Sequence, residues 1–198
     1  GAIPQDLKFR GEYSTVEIGD NTTIREFVTV HRGTAARGKT TVGSNCLLMA
    51  YVHVAHDCKV GNNVILVNNT QLAGEVIIDD WAILAGMTAV HQFVHIGSHV
   101  MIAGGSLVRK DVPPFIKAGR EPLSYVGINS IGLRRRNFSN DKIREVQDIY
   151  RYIYQKGLNT SQALEVIEAE MPASPERDEI LLFVKDSKRG IIRGYFPD

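Results

Sequence analysis

The sequence has no run of eighteen consecutive apolar residues, so nothing in it reads as a membrane-spanning helix. Residues 1–12, GAIPQDLKFRGE, lack the apolar stretch of a secretory signal. Cysteine is scarce: Cys46 and Cys58 are the only two in 198 residues, too few for a disulfide framework, and reduced thiols are expected. An excess of one charge is missing as well. With 23 Lys and Arg against 22 Asp and Glu, the formal net charge is +1, which argues against a dedicated nucleic-acid binder because that role needs a strong basic excess. These absences predict a soluble, cytoplasmic protein with no nucleic-acid partner and no membrane span. The first residue is not methionine and the pattern described next is already running near the start, so the sequence reads as part of a longer chain.

What is present is a repeat. At 43% hydrophobic residues the chain can bury a sizeable core in one domain or two small ones. Aliphatic residues recur every six positions: Ile18, Ile24 and Val30, then Val42, Leu48, Val54, Val60, Leu66, Leu72, Ile78, Leu84, Val90, Ile96, Ile102 and Val108. Four residues after each comes a small or β-branched side chain, among them Thr22, Thr34, Cys46, Cys58, Thr70, Ala82, Ser106 and Val112. A period of six with one aliphatic and one small inward residue is the signature of a parallel β-helix of short strands and tight turns. A longer period sets the coil: VGSNC at 42, VGNNV at 60, IDDWA at 78 and IGSHV at 96 recur every 18 residues, three hexapeptides to one turn of a triangular prism. The preceding copy, IGDNT at 18, lies 24 residues before VGSNC, so six extra residues interrupt the stack within GTAARGKT, residues 33–40, where a protruding loop is predicted. Adjacent coils should stack at about 4.8 Å. Both cysteines take the small inward position, so core packing explains them.

The repeat stops at Pro113 and Pro114. Residues 1–115 therefore read as the β-helix, 116–136 as a connecting, partly extended segment, and 137–198 as a helical subdomain. Ser139 is suited to cap a first helix with Ile143, Val146, Ile149 and Ile153 along one stripe and Gly157 as its stop. A second helix is predicted over Ser161 to Met171. A third starts at Ser174 and Pro175, a cap followed by a first-turn proline, and runs to about Lys185.

None of the six histidines falls on an inward position, so all are expected to face outward or sit at corners. In HVAHDCKVGNNV, residues 53–64, His53 and His56 lie three apart with Asp57 following. These residues alone leave three readings open: a metal site, a base with its helper, or polar side chains on the outside of the repeat. A second feature is basic. Arg109, Lys110, Lys117, Arg120, Arg134, Arg135 and Arg136 stand against Asp111 and Glu121, a local excess of five.

The segments QDLKF (5–9), EIGDNTTIREFVTVHRGT (17–34), LLMAYVHVAHDCKVGNN (47–63), GMTAVHQF (86–93), DVPPFIKAGR (111–120) and VGINSIGLRRRNFS (126–139) resemble the bacterial UDP-N-acetylglucosamine O-acyltransferase family. The resemblance covers almost the whole chain. It implies a left-handed parallel β-helix of hexapeptide repeats followed by a small C-terminal α-helical subdomain, with several further coils ahead of QDLK. Handedness rests on the resemblance alone, since parallel crossovers are otherwise nearly always right-handed. The resemblance also implies a homotrimer with active sites in clefts between subunits. The implied reaction moves an R-3-hydroxyacyl group from acyl carrier protein to the 3-hydroxyl of UDP-N-acetylglucosamine, the first step of lipid A biosynthesis. No cofactor and no metal are implied, because the acyl donor brings its own activated carbonyl.

The family motif makes His56 of AHD the general base, a role that suits a side chain titrating near neutrality, with Asp57 orienting or electrostatically assisting it. Gly74, one coil further on, matches the oxyanion donor. Where the family's best-known pattern has a histidine after this glycine, the chain has Glu75. His53, His91 and Gln92 match positions near the sugar nucleotide, as do Asn129 and Arg135; Asp6 and Lys8 of QDLK match the substrate cleft. His31 matches the pattern without an assigned role, and His95 and His99 read as turn or surface residues. The other basic residues suit an acidic carrier protein. Gly104, in IAGGS, matches the position that sets groove depth; glycine leaves the groove open and implies acyl chains of about fourteen carbons or more.

Other readings of the repeat exist. A γ-class carbonic anhydrase, also a trimeric β-helix, would need three histidine ligands on zinc, and no such spacing is visible. A related UDP-sugar N-acyltransferase shares the repeat but not QDLK or the helical tail. A purely structural trimeric scaffold would not bind the nucleotide sugar.

Overall fold

The computed structural model describes residues 1–194. Five coils of three strands each form the stack. The first holds β1 (Thr15–Ile18), β2 (Thr23–Ile24) and β3 (Thr29–Val30); the second β4 (Lys39–Val42), β5 (Leu47–Leu48) and β6 (His53–Val54). The third holds β7 (Lys59–Val60), β8 (Ile65–Leu66) and β9 (Gln71–Leu72); the fourth β10 (Ile77–Ile78), β11 (Ile83–Leu84) and β12 (Ala89–Val90). The fifth holds β13 (His95–Ile96), β14 (Met101–Ile102) and β15 (Leu107–Val108). Every third strand pairs in parallel, giving three sheets, β1-β4-β7-β10-β13, β2-β5-β8-β11-β14 and β3-β6-β9-β12-β15. The register repeats the sequence spacing: Ile78 faces Ile96, 18 residues on, whereas Thr29 faces His53, 24 residues on, because the inserted loop lies between them.

Sharp corners join the strands. One residue per corner takes a left-handed backbone, for example Asn45 (φ 58), Tyr51 (φ 64) and Asp57 (φ 59), and the same positions recur at Asn63, Asn69 and Glu75. Asparagine tolerates this conformation better than most side chains, which explains its recurrence there. The core offsets the strain: from Leu48 to Val108 no inward aliphatic is more than 3% exposed. Cys46 and Cys58 are buried among them, and burial pushes the Cys58 thiol up to about 12.

The three corners of the prism carry the candidate functional residues in separate columns. The first corner runs through Asn45, Asn63, Trp81 and His99, the second through Tyr51, Asn69, Met87 and Gly105, and the third through Asp57, Glu75 and Phe93.

Beyond the stack the chain is more ordered than a connector. β16 (Ile116–Gly119) adds in parallel to β14, and β17 (Ser124–Ile128) adds antiparallel to β16. A short helix α1 (Ser130–Arg135) follows, with Asn129 as its cap. The predicted helices are present: α2 (Asn140–Gln155), capped by Ser139 through the Lys142 N–H, α3 (Thr160–Glu170) and α4 (Pro175–Asp186), capped by Ser174. Gly157 takes φ 70 just past the end of α2, as its C-terminal glycine should. Asn159, not Ser161, starts α3 through a capping box with Gln162. Helix α2 buries Tyr150 and Tyr154 beside its expected stripe, and Tyr150 Oη donates to the Pro114 carbonyl at 2.7 Å, fastening the helix to the end of the stack. Strand β18 (Arg193–Gly194) returns to pair with β17. No helix among the described residues is long and apolar enough to cross a membrane.

Candidate active site

His56 sits at the third corner, one residue before the left-handed Asp57. Its Nδ1 lies 2.9 Å from Asp57 Oδ2. Asp57 is fully buried and is surrounded by donors: the Thr34 N–H at 3.0 and 3.1 Å, the Thr34 Oγ1 at 2.7 Å and the Arg37 N–H at 3.1 Å. Burial alone would raise its pKa, but the bonds from Thr34 and His56 outweigh that and hold it below the ordinary carboxylate value. An ionised carboxylate only accepts, so the proton of a neutral His56 is on Nδ1 and Nε2 carries the lone pair.

The other face of the ring lies against Gly74. A Cβ built there would come within 2.5 Å of His56 Cε1 and Nε2, so only glycine admits the imidazole. Adjacent coils bond at this corner, Glu75 N–H to the His56 carbonyl at 2.9 Å and Phe93 N–H to the Gly74 carbonyl at 3.2 Å. His56, Gly74 and Gln92 thus form one column, and the Gly74 N–H has no hydrogen-bond acceptor among the described residues. Glu75 is the corner residue here (φ 61), so its backbone is structural while its side chain is half-buried.

A cavity of about 390 Å³ opens beside His56, lined by Gln5, His31, His53 and Gln71 among others. His53, on β6, has its Nδ1 2.7 Å from Thr29 Oγ1, and its ring meets that of His31 edge-on with centroids 4.7 Å apart. Burial, then the neighbouring imidazoles, lowers the pKa of His53; burial, then His56, lowers that of His31. His31, Gln5 and Gln71 were not singled out for this cleft from the sequence. His31 did match a family motif, but nothing in the spacing shows that it closes over His53.

The other candidates are dispersed. Asp6 and Lys8 form a turn, with the Lys8 N–H donating to Asp6 Oδ1 at 2.9 Å, and it is their neighbour Gln5 that reaches the cavity. His91 is exposed, with Nδ1 3.0 Å from the Gln92 carbonyl. Gly104 lies at the second corner, stacked on Gly86, whose carbonyl oxygen a Cβ at 104 would meet at 3.1 Å; no side chain projects from either position. Asn129 belongs to the first corner: Nδ2 donates to the His99 carbonyl at 2.9 Å and Oδ1 accepts from the Gly132 N–H at 3.2 Å, so its amide is engaged in holding α1 on the coil. Arg135 is exposed in the last turn of that helix. Arg136, counted with the basic patch, is not a free rim charge: it lies over Trp81 and donates to the Trp81 carbonyl at 3.0 Å. His99 sits in a turn, as expected, but it and His95 are half-buried rather than bare surface residues. His95 pairs with Asp79 at 2.7 Å and packs on Phe183, and His99 stacks on Phe115. Among the described residues no three or more His, Cys, Asp or Glu side chains converge to hold a metal ion.

The C-terminal part, residues 111–192, matches the family described as UDP N-acetylglucosamine O-acyltransferase, domain 2, and residues 39–74 match the bacterial transferase hexapeptide. An acyl-[acyl-carrier-protein]--UDP-N-acetylglucosamine O-acyltransferase of Janthinobacterium sp. (strain Marseille) is 46% identical over 98% of this chain and 76% of its own length. The chain belongs to the UDP-N-acetylglucosamine O-acyltransferase family. A second O-acyltransferase of that name, from Pseudomonas syringae pv. tomato, is 47% identical over 98% of this chain and 75% of its own. The crystal structure of a UDP-N-acetylglucosamine acyltransferase from Bacteroides fragilis 9343 superposes with a TM-score of 0.95 at 60% identity, covering 98% of this chain and 76% of that one.

Proposed function

We propose that the chain transfers an R-3-hydroxyacyl group from acyl carrier protein to the 3-hydroxyl of UDP-N-acetylglucosamine, the opening step of lipid A biosynthesis. One observation carries the reading: His56 has its Nδ1 on buried Asp57, its ring against Gly74 and its flank on a cavity. A sugar hydroxyl attacks a thioester only sluggishly unless its proton is removed during attack. His56 Nε2 takes that proton as the oxygen–carbon bond forms, and Asp57 stabilises the imidazolium. Negative charge gathers on the former carbonyl oxygen, where the open Gly74 N–H is a suitable donor. Collapse breaks the carbon–sulfur bond, the departing thiolate takes the proton from Nε2, and His56 returns to its neutral form.

The remaining roles need more than one copy of the chain. His56, Gly104 and the α1 residues Asn129 and Arg135 lie on three different corners, which one prism cannot bring together. A homotrimer of left-handed β-helices sets the α1 corner of one copy beside the His56 corner of its neighbour, and the cleft between them takes the nucleotide sugar. In that arrangement His53, His91, Gln92, Asp6 and Lys8 bind or orient the sugar nucleotide from one side. Arg135 meets the diphosphate from the other, on a helix that Asn129 anchors. Phe27 (72% exposed), Tyr51 (54%) and Met87 (71%), along the second corner, supply apolar surface for such contacts. Gly104 leaves the acyl groove open for a long chain, the exposed Arg109 and Lys110 near the helices α2 to α4 face the acidic carrier, and both substrates place the enzyme in the cytoplasm.

The test is turnover of UDP-N-acetylglucosamine with a ladder of hydroxyacyl carrier proteins, for the natural chain and for His56→Ala. The variant should lose roughly 10²- to 10⁴-fold in kcat while keeping its oligomeric state. Near-normal turnover by His56→Ala would overturn the assignment, and a clear preference for short donors would contradict the role of Gly104.

A further inference from the structure

The inserted loop protrudes as expected, with residues 35–39 exposed, but Thr34 does not fill the small inward place that the six-residue period assigns it. Thr41 pairs with Lys59, which sets Thr40, fully buried, level with Cys58 as the inward residue of that coil. Thr34 is thereby released from the stack, yet it is only 5% exposed. It is buried against the Asp57 carboxylate, to which its hydroxyl donates at 2.7 Å and its N–H at 3.0 and 3.1 Å.

The loop is folded around this contact. Gly38 N–H donates to the Thr34 carbonyl at 2.7 Å, Ala36 N–H to Thr34 Oγ1 at 3.2 Å, and Ala35 N–H to a Glu12 carboxylate oxygen at 3.0 Å. At Gly33 a Cβ would meet the Lys39 nitrogen at 2.2 Å, so the chain leaves and re-enters the stack at nearly one point. The turn also presents the Arg37 N–H to Asp57 Oδ1, and the Asp57 N–H in turn donates to Thr40 Oγ1 at 2.8 Å. A carboxylate has about four lone-pair sites. Thr34 supplies two of its donors, Arg37 a third and His56 Nδ1 the fourth.

We infer that Thr34, carried by the inserted loop, is a positioning residue for acyl transfer: it fixes the Asp57 carboxylate so that Oδ2 holds His56 with Nε2 turned to the substrate. This rests on the reading of His56 as the general base. The loop adds what the regular inward residue at this level does not supply: Thr40 meets the Asp57 N–H, whereas Thr34, outside the stack, meets the carboxylate.

The experiment compares kcat, KM and the pH dependence of kcat/KM for the natural chain, Thr34→Val, Thr34→Ser and His56→Ala. Thr34→Val keeps the shape and removes the hydroxyl donor. Its kcat should fall about 10- to 100-fold with KM for the nucleotide sugar changed less than about twofold, the pattern of a misplaced catalytic group. The acid limb of the profile should move to higher pH, because a carboxylate with fewer donors favours the protonated imidazole beside it. Thr34→Ser should restore most of the rate and the limb, which a purely structural loss would not do selectively. Should Thr34→Val fail to fold, Thr34→Cys, with a weak donor of similar size, should show a smaller loss in the same direction. Natural turnover and an unmoved profile in Thr34→Val or Thr34→Cys, alongside an inactive His56→Ala, overturn the inference alone. An active His56→Ala overturns the reading beneath it.

Discussion

The Cα of Gly74 lies so close to the His56 imidazole that a methyl group on it would come within 2.5 Å of both Cε1 and Nε2. The ring has nowhere to retreat, since its Nδ1 is held by Asp57 on the opposite side. Gly74→Ala should therefore displace the ring or the peptide at the catalytic corner while leaving the coil intact. A shift of about 1 Å at a reacting group costs about 100-fold. Steady-state kcat should fall by that order with an unchanged circular dichroism spectrum, and full activity in Gly74→Ala would show that the close approach has no catalytic meaning.

Asp57 makes a prediction about pH and stability. Its pKa in the folded chain lies below its ordinary value of 3.8, so the stability it contributes is present in full above that value and is lost as the pH falls through the lower folded value. Asp57→Asn removes this contribution and sets an amide N–H₂ among the donors of Thr34 and Arg37. At neutral pH the variant should be destabilised by about 1–3 kcal/mol, the penalty of leaving buried donors unpaired. Urea unfolding at pH 7 and pH 3 checks this: the gap between variant and natural chain should narrow at the lower pH.

How much of this was legible in the sequence depends on range. The spacing of 18 residues predicted the pairing of Ile78 with Ile96, and Ser139 and Gly157 marked both ends of α2, because stacking and capping are local, periodic constraints. His56 and Gly74 could be aligned for the same reason. The role of Thr34 was hidden because the six-residue period continues through the insertion and assigns it inward, while only the register shows that Thr40 takes that place. Gln5 and His31 reach the cavity because the N-terminal segment folds back, with Ala2 bridged to His31, a contact that no periodicity encodes. Residues 116–136 read as partly extended, as β16 and β17 are, but their pairing on the last coil and the helix α1 come from packing that a segment without a repeat does not show.

His99 tests the clasp between the stack and the helical part. It occupies the first corner with φ 57, stacks on Phe115 and meets Phe138 edge-on, and burial, then Arg136, pushes its pKa down to about 4. A base whose folded pKa lies below its ordinary 6.5 is protonated more readily when unfolded, so stability should decline as the pH falls from 6.5 towards 4. His99→Phe should flatten that decline. Phenylalanine already takes a left-handed backbone at Phe27, Phe93 and Phe115, so the substitution suits the conformation. Melting midpoints at pH 5 and pH 8 measure it: a smaller difference between the two in the variant is the expected outcome, and an unchanged difference would assign the acid sensitivity to another group.

The contrast between the stack and a helix surface gives a last prediction about the core. Leu66 and Leu182 are both leucines, yet Leu66 is fully buried in the stack and Leu182, on α4, is 62% exposed. Truncating a buried leucine to alanine costs about 2–5 kcal/mol, the upper end arising where the surroundings cannot collapse into the space. Around Leu66 they cannot, because Leu48 and Leu84 above and below are pinned by backbone bonds between coils. Leu66→Ala should fall in that range, whereas Leu182→Ala removes contacts that are already partly wetted and opens no closed cavity, so its cost should be clearly smaller. Denaturant unfolding of the two variants, at one protein concentration so that association does not intervene, decides the matter. Equal losses would mean that the outer face of α4 is covered in solution, by a contact between copies of the chain.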